Sequence, residues 1–158
     1  MKDIIQNNVL LGLGSNLGDR KGHIEDAIEE LKLYGKLIQR ASYYSSAAVD
    51  YLDQPDFVNT VAHFQTKIQS PIVFLRQCLE IEKDLKRVRD IDKGPRTIDI
   101  DILFWNEIEH SSEELTVPHP SWKQRSFVVR PLLEIRYFQN HPFNESIPEQ
   151  FDTEAIPI

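Results

Sequence analysis

Cysteine occurs once in these 158 residues, at Cys78, so no internal disulfide can form. Its place in an apolar helical stripe makes it a small core residue rather than a nucleophile. An excess of basic charge is also missing: 18 Lys and Arg against 25 Asp and Glu leave a net charge of −7. That balance argues against general binding to nucleic acid or to a membrane surface, and confines any basic chemistry to a local patch. No apolar run approaches membrane-spanning length, and the N-terminus lacks the charged start, apolar run and small-residue cleavage site of a signal peptide. A cytoplasmic location is the expectation. Repeats, low-complexity tracts and Gly/Ser linkers are absent as well, which points to one domain over residues 1–158. The Pro-rich, polar tail from about residue 140 is expected to be loosely ordered.

What is present centres on Gly94-Pro95-Arg96-Thr97-Ile98-Asp99-Ile100-Asp101-Ile102-Leu103-Phe104-Trp105. Period-two alternation sends Ile98, Ile100, Ile102 and Phe104 to one face of a strand, and Asp99 and Asp101 to the other. Two carboxylates at i and i+2 are roughly 7 Å apart along a strand, near enough at their tips to share hard cations that relieve their repulsion. The alternative for such a pair is the solvated polar face of an edge strand. Gly94-Pro95 sets an extended approach, and Arg96 at the mouth of the strand is a fixed anion receptor. Glu82, Arg87 and Arg89 lead into this segment. Three arginines converging on paired acids in a net-acidic chain suit a polyphosphate, although cations favoured at a helix end also account for Arg87 and Arg89.

Taken in order, Asn8 to Gly14 reads as a buried strand closing in glycines, without the spacing of a Rossmann fingerprint or a Walker A loop. Asp19 is placed to cap a helix carrying Ile24, Ala27, Ile28 and Leu31 on one face. Leu37 to Tyr44 and Phe57 to Thr66 read as strands separated by a loop long enough to be functional. Phe57 and Asn59 then share one face, an aromatic plane beside an amide, suited to a flat heterocycle. A second helix opens at Ser70-Pro71 and carries Phe74, Leu75, Cys78, Leu79 and Leu85 inward. After the Asp-x-Asp strand come a stiff Leu115 to Pro120 piece presenting His119, Arg125 facing the same way, and a helical segment from Val128 to Ile135. The order strand, helix, strand, strand, helix, strand is that of an α+β, ferredoxin-like antiparallel sheet with helices packed on one face.

Five motifs carry a resemblance. Leu11-Gly12-Leu13-Gly14-Ser15-Asn16-Leu17-Gly18-Asp19, Asp53-Gln54-Pro55-Asp56-Phe57-Val58-Asn59, Arg87-Val88-Arg89, Gly94-Pro95-Arg96-Thr97-Ile98-Asp99-Ile100-Asp101 and Val117-Pro118-His119-Pro120 together resemble the hydroxymethyl-dihydropterin pyrophosphokinase family of folate biosynthesis. The resemblance implies transfer of the β,γ-pyrophosphate of ATP to 6-hydroxymethyl-7,8-dihydropterin, releasing AMP. It implies two magnesium ions on Asp99 and Asp101, with Arg87 and Arg96 also in the catalytic set. The pterin would lie between Phe57 and Phe127, its edge read by Asn59 and by the backbone around Ser46, Ala47 and Val49. Nucleotide contacts would come from Glu82, Arg87, Arg89, Arg96, Ile98, Thr116, His119 and Arg125. Family members often carry Arg-Trp where this chain has Asp92-Lys93, so the loop from Arg87 to Lys93 is expected to close on ATP while sealing the site less completely. Small-molecule partners are implied, with neither nucleic acid nor membrane, and a monomer is the simpler oligomeric expectation. Two other classes stay open: an RNA-recognition module, disfavoured by the charge and the missing RNP signature, and a catalytically silent pterin-binding domain.

Overall fold

The computed structural model describes residues 5–48, 53–85 and 97–158. Its organising strand is β1 (Asn7–Ser15), which pairs antiparallel with β4 (Phe57–Thr66) on one side and with β5 (Asp99–Trp105) on the other. Strands β2 (Lys36–Arg40) and β3 (Tyr44–Ser46) both pair with the far side of β4, and β8 (Ile156–Pro157) adds to β3. A separate two-stranded ladder joins β6 (His110–Ser111) to β7 (Thr116–Val117). The expected single strand from Leu37 to Tyr44 is therefore two short ones, divided at Ala41 to Tyr43.

Alternation along β1 and β4 gives the sheet two apolar faces. Val9, Leu11, Leu13, Val58, Ala62 and Phe64 meet helices α1 (Arg20–Leu31) and α2 (Pro71–Asp84) on one of them. Asp19 caps α1 by accepting from the Gly22 amide at 3.1 Å, and Ser70 caps α2 in the same way at 3.3 Å from Val73 N, with Pro71 opening the helix. These two helices on one face are the expected ferredoxin-like layer. On the other face Leu10 and Val61 pack with α3 (Ser126–Leu132) and the aromatic side chains of Trp122 and Phe138, so the sheet is covered on both sides.

A β-bulge corrects the expected face of Phe104. Leu11 pairs with Ile102 but Leu10 pairs with Phe104, leaving Leu103 as the extra residue. Ile98, Ile100 and Ile102 stay in the α1/α2 core, whereas Leu103 and Phe104 both turn to the α3 side. The two aspartates share that second face up to the bulge.

The tail also departs from expectation. Phe143, Ile147 and Phe151 pack on the α3-side core, and β8 pairs with β3 through Tyr44–Pro157 and Ser45–Ile156. Apolar side chains spaced among the prolines and acids give this segment enough to bury, which its overall polarity concealed.

Candidate active site

Glycine in β1 makes room for the site. Gly14 lies opposite both Asn59 of β4 and Asp99 of β5, and Gly12 lies opposite Asp101. With no side chains at these two positions, the floor between the acids and the Phe57/Asn59 pair is open; a Cβ on Gly14 would be 2.8 Å from Asn59 Oδ1 and 3.6 Å from the Phe57 ring. The cavity above has a volume of about 380 Å3.

One wall suits a flat heterocycle. Phe57 and Asn59 rise from β4, Ser46 and Ala47 come from β3 and the loop after it, and Phe127 comes from the first turn of α3. Asn59 Nδ2 donates to Ser46 Oγ at 2.7 Å, which fixes the amide and leaves its Oδ1 on the Gly14 side. Behind this wall, the buried Asn16 donates to Gln54 Oε1 at 2.8 Å and to the Pro55 carbonyl at 3.0 Å, while Arg20 donates to the Asp56 carbonyl at 2.9 Å. The end of β1 thus holds the turn that delivers Phe57.

The opposite wall suits phosphate. Asp99, Asp101, His119 and Arg125 line the same cavity, and α2 adds Glu82 with Leu75 and Leu79. The bulge places His119: its amide donates to the Leu103 carbonyl at 2.9 Å. Burial, then the Arg125 guanidinium, lower the His119 pKa below the ordinary imidazole value, and Asp99 opposes them. Its Nδ1 accepts from the Ser121 amide at 3.2 Å, so the neutral ring carries its proton on Nε2 and presents that as a donor. Arg125 lies 5.5 Å from the centre of the Phe127 ring, joining the two walls. A neighbouring cavity of about 300 Å3 shares Leu75, Ile100, Asp101 and His119 and adds Thr116.

The structure thus brings Ser46, Ala47, Phe57, Asn59, Glu82, Asp99, Asp101, His119, Arg125 and Phe127 to one cavity, with Thr116 beside it. It does not bring the Ile98 side chain there: Ile98 is fully buried in the α1/α2 core, because its even position along the strand points away from the acids. Val49, Arg87, Arg89 and Arg96, and the loop from Arg87 to Lys93, lie outside the described residues. Leu79, expected to point inward, is 45% exposed at the cavity wall. Asn16 and Gln54 stand in the quoted motifs, but their contact is made across 38 residues and no local periodicity announces it.

Residues 10–137 match the family described as 7,8-dihydro-6-hydroxymethylpterin-pyrophosphokinase (HPPK). The folic acid synthesis protein fol1 of Pneumocystis carinii is 44% identical over 135 residues, 85% of this chain and 18% of that protein. Its counterpart in Schizosaccharomyces pombe is 38% identical over 93% of this chain and 20% of its own length. The chain therefore spans a small part of these two relatives. The 2-amino-4-hydroxy-6-hydroxymethyldihydropteridine pyrophosphokinase of Bacillus subtilis is 36% identical over 133 residues, 83% of this chain and 79% of that protein. In fold, a crystal structure of an HPPK-DHPS in complex with substrates is similar with a TM-score of 0.64 at 16% identity, over 83% of this chain and 40% of that one. With the motif order, the sheet and the match over residues 10–137 in agreement, the chain belongs to the 7,8-dihydro-6-hydroxymethylpterin-pyrophosphokinase family.

Proposed function

We propose that this chain transfers the β,γ-pyrophosphate of ATP to the hydroxymethyl oxygen of 6-hydroxymethyl-7,8-dihydropterin, in the cytoplasm, as a step of folate biosynthesis. The observation that carries the reading is a single cavity with an aromatic and amide wall, Phe57, Phe127 and Asn59, facing a carboxylate, imidazole and guanidinium wall, Asp99, Asp101, His119 and Arg125. Heterocycle and polyphosphate recognition within one cavity is what a pyrophosphoryl transfer between them needs.

The donor set fits magnesium. Among the described residues no cluster of three or more His, Cys, Asp or Glu side chains is arranged as a self-sufficient metal cage. Two neighbouring carboxylates on one strand face suit a hard cation that keeps water and takes its remaining oxygens from phosphate. Asp99 and Asp101 would hold two such ions; when bound, they neutralise phosphate charge and raise the electrophilicity of phosphorus.

The chain's own groups account for the rest. Stacking between Phe57 and Phe127 orients the ring, and the Asn59 amide, locked by Ser46, selects its edge. The hydroxymethyl oxygen attacks the β-phosphorus and gives up its proton to solvent, the bond from that phosphorus to the α-phosphate oxygen breaks, and AMP leaves with that oxygen. The His119 Nε2–H and the Arg125 guanidinium, both lining this cavity, would donate to phosphate oxygens as this charge develops. Leu75 and the two phenylalanines give the cavity apolar lining, which would favour the pterin hydroxyl over water as the acceptor.

The reading is tested by incubating the protein with ATP, magnesium and the hydroxymethyl-dihydropterin and separating the nucleotides. AMP formed in step with pterin diphosphate supports it. Pterin bound with no nucleotide consumed would instead identify a catalytically silent binding domain.

A further inference from the structure

The segment from Glu149 to Ile158 is bonded to both α3 and β3, two of the elements that carry the heterocycle wall. On α3, the buried Ser126 hydroxyl donates to the Glu154 carboxylate at 2.8 Å and accepts from the Ala155 amide at 2.8 Å. Arg130, one turn further along, donates from Nε to the same carboxylate at 2.6 Å and from its terminal nitrogen to the Glu149 carbonyl at 3.0 Å, and its guanidinium lies over the Phe151 ring. Two residues after Glu154 the chain is part of the sheet: Ile156 and Pro157 pair with Ser45 and Tyr44, and the Ile158 amide donates to the Tyr43 carbonyl at 3.1 Å. Phe127 follows Ser126, and Ser46, which locks Asn59, follows Ser45.

The geometry points to residues 149–158 as a strap that sets the distance between α3 and β3, and so to Glu154 as a positioning residue for the pterin. It rests on the pterin site proposed above. Glu134, just beyond α3, makes a second tie between the same elements by accepting from the Ser42 amide and hydroxyl at 2.9 Å and from the Tyr44 hydroxyl. With α3 tied at its far end by Glu134, the near end, where Phe127 sits, is held by Ser126 and Arg130 through Glu154. Loss of that carboxylate removes two of the four hydrogen bonds that hold this end of the helix and loosens it, leaving the Ala155 amide on Ser126 and the Glu149 carbonyl on Arg130, while Asp99, Asp101 and His119, on β5 and the segment bonded to it, keep their supports. A strap of this kind acts first on pterin affinity, and reaches the phosphate side only through Arg125, the residue before Ser126.

Full-length wild type, Glu154→Ala and Glu154→Gln are compared in two arms. Hydrogen exchange without ligand reads the coupling: Glu154→Ala should speed exchange in residues 126–130 and 44–46 as well as at Ala155, and Glu154→Gln, which keeps the acceptor for Ser126 and Arg130, should restore protection. Steady-state kinetics read the consequence: the KM for pterin should rise about tenfold in Glu154→Ala, with kcat and the KM for ATP within about twofold of wild type, and fall most of the way back in Glu154→Gln. Faster exchange confined to residues 149–158, or pterin and ATP parameters moving together, would overturn the proposal. Wild type that forms no AMP would overturn the pyrophosphokinase reading instead, and the exchange arm would still decide whether the strap couples the two elements.

Discussion

Gly14 and Asn59 are cross-strand partners in β1 and β4, and the space where a Gly14 side chain would stand is the space into which the Asn59 Oδ1 points. A Cβ there would meet that oxygen at 2.8 Å, closer than such contacts allow. The glycine is therefore a requirement of the Asn59 amide's position and not of any turn.

Replacing Gly14 by Ala should displace Asn59 from Ser46 while leaving the strand paired, because the clash is with a side chain and not with backbone. The expected result is a KM for pterin raised about tenfold or more, worth roughly 1–2 kcal/mol of lost binding, with the melting temperature changed by a few degrees at most. Calorimetric titration of pterin into the variant checks the binding part separately from turnover.

Asn16→Ala tests the support behind Phe57. The substitution removes the donor that holds Gln54 and the Pro55 carbonyl from a position 1% exposed. Stability should fall by about 1–3 kcal/mol, the ordinary cost of breaking a buried hydrogen-bonded contact. Pterin affinity should fall with it, since the turn ahead of Phe57 loses its anchor; denaturant titration and pterin binding measured on the same preparation check both.

Much of the fold was legible in the sequence. The Asp-x-Asp strand, the Ser70-Pro71 helix start and the Phe57 to Thr66 strand stand where the local pattern put them, because alternation along a strand and a cap ahead of a helix are both carried by neighbouring residues. Phe104 was misplaced because a bulge is set by pairing register, which period-two alternation cannot carry. The tail was misread because its few apolar side chains find their partners on α3 and β3, far away in sequence. For the site, chemistry-bearing residues such as Asp99, Asp101, His119, Phe57 and Asn59 could be named from residue type and motif. Their supports could not: Asn16 with Gln54, Ser126 with Glu154 and the Leu103 carbonyl with His119 are meetings made by the fold.

His63 gives the fold an acid limit apart from the site. Its ring is 4% exposed, hydrogen-bonds Asn8 Oδ1 at 2.9 Å and stacks on Tyr137 at 4.7 Å. Burial pushes its pKa down to about 4 from 6.5. Between these values the unfolded chain binds a proton that the folded chain does not, so the contribution is whole above pH 6.5 and is lost as the pH falls towards 4. The loss amounts to about 3 kcal/mol at most. Unfolding free energies measured from pH 4 to 7 should show a slope that His63→Gln reduces by about one proton.

The central claim is that Asp99 and Asp101 grip magnesium beneath the phosphates of ATP, and manganese as a paramagnetic substitute tests it most directly. Electron paramagnetic resonance should detect manganese bound to the wild-type protein with an α,β-methylene ATP analogue, and Asp99→Asn and Asp101→Asn should each weaken that binding by tenfold or more, about 1.4 kcal/mol, without loss of folded structure. Manganese bound as tightly by both variants as by wild type would contradict the account.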